Sequence, residues 1–458
     1  MTTTPTTPSA RDAAYHFHSY TNALTHLETG PFILVRGEGC YVYDDAGNRY
    51  LEAMAGLWST ALGFSEQRLV DAAHEQMKAL PYMHNFAARS HNPAIDLAEK
   101  LISLAPVPMS KVFFTNSGSE ANDTVMKMLW YRANSMGEPN RKKFISRING
   151  YHGITIASAS LTGIPTNHVS FDLPLPQVKH TGKPHFWREG KPGETEQDFS
   201  TRMAAELEAL IQEEGPETIS AMFAEPVMGA GGVIVPPEGY WEKIQAVLNK
   251  HDILLVADEV ICGFGRTGQL FGCMTYGIKP DVMVMSKQLT STYFPMSAVM
   301  MNDKVFVPIR DESNRVGVLA HGFTGAGHPV GAAIAKENIA IIEERGLVAQ
   351  GAETGKYLQA QLRNFSDHPL VGEVRGVGMI AAVELVADKT SKAPHGELGR
   401  LGGLAQNAMQ RHGVISRAMK DALAFCPPMI SEKAEVDLIV SALTKSLDDV
   451  QAQIKVSA

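Results

Sequence analysis

The stretch from Ile253 to Lys287, ILLVADEVICGFGRTGQLFGCMTYGIKPDVMVMSK, constrains the fold of this chain more than any other. It contains two short apolar runs, ILLVA and DVMVMS, the first ending on an acid, Asp258, and the second on a lysine, Lys287. Short runs that are apolar on both faces and bounded by Gly and Pro suit strands buried inside a parallel sheet. The carboxyl ends of such strands gather ligand-binding groups, so Asp258 and Lys287 are expected at one sheet edge. Desolvation disfavours an ammonium at the end of a buried strand, which lowers its pKa and leaves a nucleophilic amine able to form a Schiff base. The competing reading is a lysine whose stem lies on apolar surface while its head reaches water, beside an unrelated acid. The rest of the chain decides between them.

A chain of 458 residues exceeds what one core supports, and with 44% hydrophobic residues it can fill two domains. From Gly63 to Lys287 apolar strands alternate with helical stretches: a helix near Glu66 to Met77, the strand KVFFT, a helix from Glu120, the strand KKFISRI, a helix near Phe199 to Gln212, and the strand AMFAEP. That alternation predicts an α/β fold with a doubly wound, mainly parallel sheet. Before it, Pro31 to Glu52 predicts a small antiparallel hairpin. After it, a long helix starts at Pro329 and stops before Gly346. The strand-like EVRGVGMIAAVELV and a closing helix from Ser431 follow, the latter with Val436, Ile439, Val440, Leu443, Leu447, Val450 and Ile454 on one face. The expected division is an N-terminal segment 1–62 packed with the small domain, a large domain 63–328, and a C-terminal small domain 329–458 entered through a linking helix 329–345.

A net charge of −8 without a Lys/Arg stripe argues against nucleic acid and anionic membrane as partners, and no run approaches the ~20 apolar residues of a membrane helix. The opening MTTTPTTPSARD is polar and expected to be disordered. Cys40, Cys262, Cys273 and Cys426 lack the spacing of a zinc site or a disulfide framework, which fits a reducing cytoplasm. No metal ligand set is read from the sequence.

Small-molecule chemistry is read from three places. KVFFT runs into NSGSEAND, where Ser117, Gly118 and Ser119 leave N–H groups and hydroxyls at the positive end of a helix, a site for phosphate or simply a serine cap. In RINGYHG, Tyr151 and His152 can stack on a flat ring or serve packing. Asp258 with Lys287 is the pairing that pyridoxal phosphate enzymes use, the acid for the pyridine nitrogen and the amine for the Schiff base. GFGRTG, Gly263 to Gly268, matches the dinucleotide fingerprint in letters only. DEVIC separates it from its strand, QLFGCMTYGIKP is a poor helix, and Asp281 begins the next strand where the fingerprint needs an acid at a strand's end.

Taken together, GLWS at Gly56, TNSGSEAND at Thr115, NGYHG at Asn149, AEPVMGAGGV at Ala224, ADEVICGFGRTG at Ala257, SKQL at Ser286 and HGFTGAGHP at His321 resemble a class III pyridoxal-phosphate-dependent aminotransferase of the ω-transaminase, amine:pyruvate group. The resemblance covers nearly the whole chain and implies the fold type I architecture. It implies that Lys287 holds pyridoxal 5'-phosphate and shuttles the proton, and that Asp258 pairs the pyridine nitrogen. Tyr151 and Val260 would flank the ring, with His152 and Glu225 among the cofactor contacts. Ser117, Gly118 and Ser119 would bind the phosphate, joined by Thr324 of a second subunit. For substrate the implied pocket is Tyr20, Trp58, Phe86, Tyr151 and Ala230, with Phe323 from the second subunit and Arg417 as a mobile carboxylate-binding arginine. The implied activity moves an amino group from a primary amine or ω-amino acid to pyruvate or a similar keto acid, in a homodimer or a dimer of dimers. A lyase or isomerase on the same scaffold, and a non-catalytic cofactor-binding protein, are the alternatives. The sequence departs from many relatives in the lysine loop, at Gln288, Thr292 and Ser297, and at Ile261, which replaces a glutamine that reaches the ring hydroxyl in some members. Arg417 is expected in a polar loop, with a fixed ion pair to Asp421 as its alternative role.

Overall fold

In the computed structural model residues 6–456 are described. The N-terminal strands β1 (Leu34–Glu38), β2 (Tyr41–Asp44) and β3 (Arg49–Glu52) form an antiparallel meander, one strand more than the expected hairpin. The central sheet takes β4 (Lys111–Thr115), β5 (Lys143–Arg147), β6 (Val178–Thr181), β7 (Ile219–Ala224), β8 (Leu254–Asp258), β9 (Val282–Met285) and β10 (Ser297–Met301). Its seven strands run in the order β4-β10-β9-β8-β7-β5-β6. Only β10 is antiparallel to its neighbours, so β4, β5, β7, β8 and β9 present their carboxyl ends at one edge.

Strands β7, β8 and β9 are buried along their length because alternate residues feed different cores. Met222, Leu255, Met283 and Ala298 face the core filled by helices Asn92–Leu104, Glu196–Glu214, Tyr240–Lys250 and Pro329–Glu344. Phe223, Val256, Val284 and Val299 face the core under helices Gly118–Ser135 and Asp303–Val316. This doubly covered sheet is why the runs read as continuous rather than alternating.

The stretch EVRGVGMIAAVELV is two strands, β11 (Val371–Val377) and β12 (Ile380–Leu385), turned back at Gly378 with φ +54°. A Cβ there would lie 2.5 Å from the carbonyl of Arg266, and Met379 N–H donates to that same carbonyl at 2.9 Å. The GFGRTG segment is thus a loop docked against this hairpin; the helical piece after it, Gly272–Thr275, spans four residues. Next come β13 (Val414–Ile415), β14 (Arg417–Met419) and β15 (Ala422–Phe425). β13 pairs with β3, while β14 and β15 extend the β11-β12 sheet. Cys40, Leu51 and Ala53 share one core with Leu358, Val383, Phe425 and the closing helix Lys433–Val456. There Val436, Ile439, Leu443, Leu447 and Val450 are buried, and Val440 and Ile454 pack partly against them.

The polar opening is not all disordered. Pro8–Tyr15 is a helix, with proline in its first turn and Thr7 Oγ1 accepting the Ala10 N–H at 3.2 Å. The first five residues of the segment expected to be disordered lie outside the described residues.

Candidate active site

Asp258 ends β8 with 3% of its surface exposed. Its Oδ2 accepts from His152 Nδ1 at 2.8 Å and Asn122 Nδ2 at 3.0 Å, and its Oδ1 from the Val260 N–H at 3.2 Å. A carboxylate only accepts, so the His152 proton sits on Nδ1. Asn122 also donates to the His152 carbonyl at 2.7 Å, closing the arrangement. Sequence reasoning passed over Asn122, although it stands one helical turn after Gly118 and therefore on the same, cleft-facing side.

Lys287 follows β9 and opens the turn Lys287–Leu289. Burial brings its amine down to about 8, against the opposing pull of Asp258 and Glu225. Its backbone is held at φ +46°, a left-handed conformation costly for a residue with a Cβ, and the N–H of Thr292 donates to its carbonyl at 3.0 Å. Ser291 and Thr292 are also left-handed, at φ +48° and +57°, at positions in the loop where glycine would be free of that cost. Gln288 explains how the turn is held: its Nε2 donates to the carbonyls of Ile261 and Gly263 at 3.2 and 2.7 Å, and Asn338 Nδ2 donates to its own carbonyl at 2.8 Å. Ser297 lies outside that turn, in β10, where its hydroxyl meets Thr115 Oγ1 at 2.6 Å.

Gly118, Ser119, Tyr151, His152, Glu225, Asp258, Val260, Ile261 and Lys287 line one cleft at the carboxyl edge. Ser117 does cap the helix, its Oγ accepting the Glu120 N–H at 3.2 Å, but the N–H groups of Gly118 and Ser119 meet no acceptor among the described residues. Capping and anion binding are therefore compatible. Gly153, at φ +131°, lets the chain pass this end, since a Cβ would sit 2.6 Å from Ser119 Oγ. Glu225 is fixed by the Tyr151 and Gly229 N–H groups at 3.0 and 2.8 Å, and burial raises its pKa. The buried Nε2 of His152 has no partner among the described residues. A cleft with free helix N–H groups at one end, an amine at its wall and a fixed carboxylate within fits pyridoxal phosphate.

Above it opens a pocket of about 510 Å³ that takes in Tyr20, Trp58, Tyr151, Ala230, Lys287 and Arg417. Trp58 is 1% exposed with φ +62°, and Tyr20 has φ +50° with its hydroxyl 2.5 Å from Asn167 Nδ2. Arg417 is not in a loop: it opens β14, paired opposite Ala424. A three-residue strand such as RAM carries too few apolar residues to be seen in a sequence. Asp421 is engaged elsewhere, accepting the Gly399 and Gly402 N–H groups at 3.0 Å, and Arg417 forms no ion pair among the described residues.

Phe86 is not where it was expected. It lies with Phe323 in a separate groove of about 640 Å³, beside Phe113 and His321. Thr324 is exposed near it, its carbonyl accepting from Tyr82 Oη at 2.9 Å, and lines neither pocket. The aromatic set thus splits, and Phe86 belongs with the residues expected from a second subunit.

The family Aminotransferase class-III matches residues 24–447. A tomato (Solanum lycopersicum) gamma aminobutyrate transaminase 3, chloroplastic, is 48% identical over 94% of this chain and 83% of its own length. The omega transaminase from Pseudomonas jessenii in complex with PMP superposes with a TM-score of 0.98 at 59% identity, covering 98% of this chain and 99% of the other. The PMP-bound aminotransferase from Vibrio fluvialis gives a TM-score of 0.96 at 42% identity over 98% and 99%. With its mainly parallel sheet, its lysine and acid at the carboxyl edge and a cleft fit for pyridoxal phosphate, this chain belongs to the class III aminotransferases, transferases of amino groups from amines to keto acids that use pyridoxal phosphate.

Proposed function

We propose that the chain transfers the amino group of a primary amine or ω-amino acid to pyruvate or a similar keto acid. The observation that carries this is the pocket itself: Trp58, Tyr151 and Tyr20 form an aromatic wall over Lys287, and Arg417, with no ion pair among the described residues, stands on its rim. The Pseudomonas jessenii enzyme supports it, since its variant W58M/F86L/R417L was engineered for asymmetric synthesis of enantiopure bulky amines. Trp58, Phe86 and Arg417 occupy those numbers here.

Pyridoxal phosphate supplies a carbonyl for amine exchange and a ring that withdraws electrons. The free N–H groups of Gly118 and Ser119, with the Ser119 hydroxyl, hold its phosphate. Asp258, fixed by His152, Asn122 and the Val260 N–H, keeps the proton on the pyridine nitrogen. Tyr151 and Val260, which line the same cleft, would hold the ring between them. Lys287 Nζ, near 8, is matched to removing the proton from the amine-bearing carbon and returning it on the other side of the exchange. Arg417 takes the keto acid's carboxylate through two parallel hydrogen bonds. Thr324, Phe323 and Phe86 complete the site from a second copy in a homodimer. Four buried free thiols suit a reducing cytoplasm.

The test is a donor panel of γ-aminobutyrate, β-alanine, a diamine and an aryl amine with pyruvate, reading alanine formed. Alanine that tracks amine consumption is expected, and consumption without keto acid would show a lyase or isomerase instead. Borohydride reduction should place the cofactor on Lys287 in peptide maps; label on another lysine would overturn that role. A Lys287→Ala chain mixed with a Thr324→Ala chain should regain about half of wild-type activity per heterodimer, because both lesions then fall in one of the paired sites. No recovery in demonstrated heterodimers would place both residues in one chain's site.

A further inference from the structure

Away from the cofactor cleft, the helix Pro8–Tyr15, its C-terminal link and the helix Ala23–Thr29 bring three imidazoles onto one carboxylate. Asp12 Oδ1 lies 2.8 Å from His18 Nε2 and 2.9 Å from His26 Nε2, and Asp12 Oδ2 lies 3.1 Å from His16 Nδ1. The rings stand 4.1 Å apart from His16 to His18 and 4.4 Å from His18 to His26. Ligand atoms of Asp12, His16 and His18 all fall within 4.8 Å of one another. We infer that Asp12, His16, His18 and His26 form a binding site for a late first-row divalent cation such as Zn²⁺, Co²⁺ or Ni²⁺.

The donor set is right: imidazole nitrogens with one carboxylate oxygen suit these ions, whereas Mg²⁺ and Ca²⁺ prefer oxygen alone. The geometry is close: the ligand atoms of Asp12, His16 and His18 lie within 4.8 Å of one another and His26 Nε2 is 2.9 Å from Asp12 Oδ1, so side-chain adjustment can gather them around one ion at bonds of about 2.0–2.2 Å. The charge is unspent: no Lys or Arg pairs with Asp12 among the described residues. The other cluster of this composition, His185 with Glu373 and Glu384, differs on that last point. There Arg375 and Arg188 already neutralise the carboxylates, at 2.5–2.6 Å. At Asp12, by contrast, three imidazoles and no guanidinium or ammonium surround the carboxylate among the described residues. An entry path exists, because His16 is 64% exposed and the histidines border an open surface cleft.

The site has a position as well as a composition. Asp12 and His26 are 14 residues apart, and the chain between them carries Tyr20 to the wall of the amine pocket. A bound cation would clamp the two short helices together and stiffen that wall.

The experiment is titration of the tag-free holoenzyme with Co²⁺, read in the visible bands beyond the cofactor's absorbance, followed by displacement with Zn²⁺. One Co²⁺ per chain with the intense bands of a four-coordinate ion is expected. His16→Gln, whose side chain is mostly exposed and unimportant to packing, and His18→Gln should each weaken binding by roughly tenfold or more. Absence of saturable binding, or undiminished affinity in either variant, overturns the proposal. Zn²⁺ should also slow trypsin cleavage at Arg11 in the wild type, and equal cleavage with and without Zn²⁺ would overturn the clamp.

Discussion

The cleft around Asp258 and the groove around Phe323 contrast in how far each is finished within one chain. In the cleft, the acid meets three donors, Glu225 meets two backbone N–H groups, and the lysine turn is tied down through Gln288. In the groove, Phe86 is 48% exposed and Thr324 is exposed near it. Groups that handle protons need positions fixed to a fraction of an ångström, which strand ends inside a packed sheet provide.

The sharpest way to break this contrast is at the finished end. Asp258→Asn should lower kcat by about 10²-fold or more while leaving the folded protein intact, since an amide cannot hold the pyridine proton. Single-turnover rates and circular dichroism check the two halves of that statement, and retained activity would make Asp258 structural. Arg417→Ala tests the pocket rim. Loss of this charge-assisted contact, worth about 1.5–3 kcal/mol in all once desolvation is counted, should raise KM for pyruvate ~10- to 100-fold. The half-reaction with an amine lacking a carboxylate should be unchanged, and equal loss in both would mean Arg417 supports the fold. Since β14 fixes its backbone, any movement of Arg417 between substrates is a side-chain rotation.

The smallest expected effect concerns stability. With the Lys287 amine brought from 10.5 down to about 8, the unfolded chain binds a proton there that the folded chain lacks between those two pH values. Stability therefore rises with pH across that window, and below about 8 the full cost of burying the ammonium is present. Cofactor-free Lys287→Met should melt about 2 °C or more above the wild type at pH 7, with the gap closing toward pH 10. Calorimetry of both proteins across that range measures it.

The finished end was also the legible end. Strands β7, β8 and β9 are buried on both faces, so their sequences are unbroken apolar runs that point to Asp258 and Lys287. Strand β10 escaped because SAVMM follows a loop sequence and joins the sheet against the prevailing direction. The strand under Arg417 escaped, though Arg417 itself did not, because a short, half-exposed strand between polar residues lacks a hydrophobic period. Phe86 and Phe323 are 237 positions apart (323 − 86), and nothing in either neighbourhood says they share a groove. The Asp12 cluster escaped because Thr- and Pro-rich composition suggested disorder, while proline in the first turn favours the helix that presents the acid.

The Gln288 side chain carries a lesson for anyone redesigning this pocket. By donating to the carbonyls of Ile261 and Gly263 it makes the loop after the acid and the turn bearing the lysine a single mechanical part. A change at Gln288 alters the spacing between proton shuttle and ring anchor at once, so libraries that vary the lysine turn select on alignment before they select on substrate size.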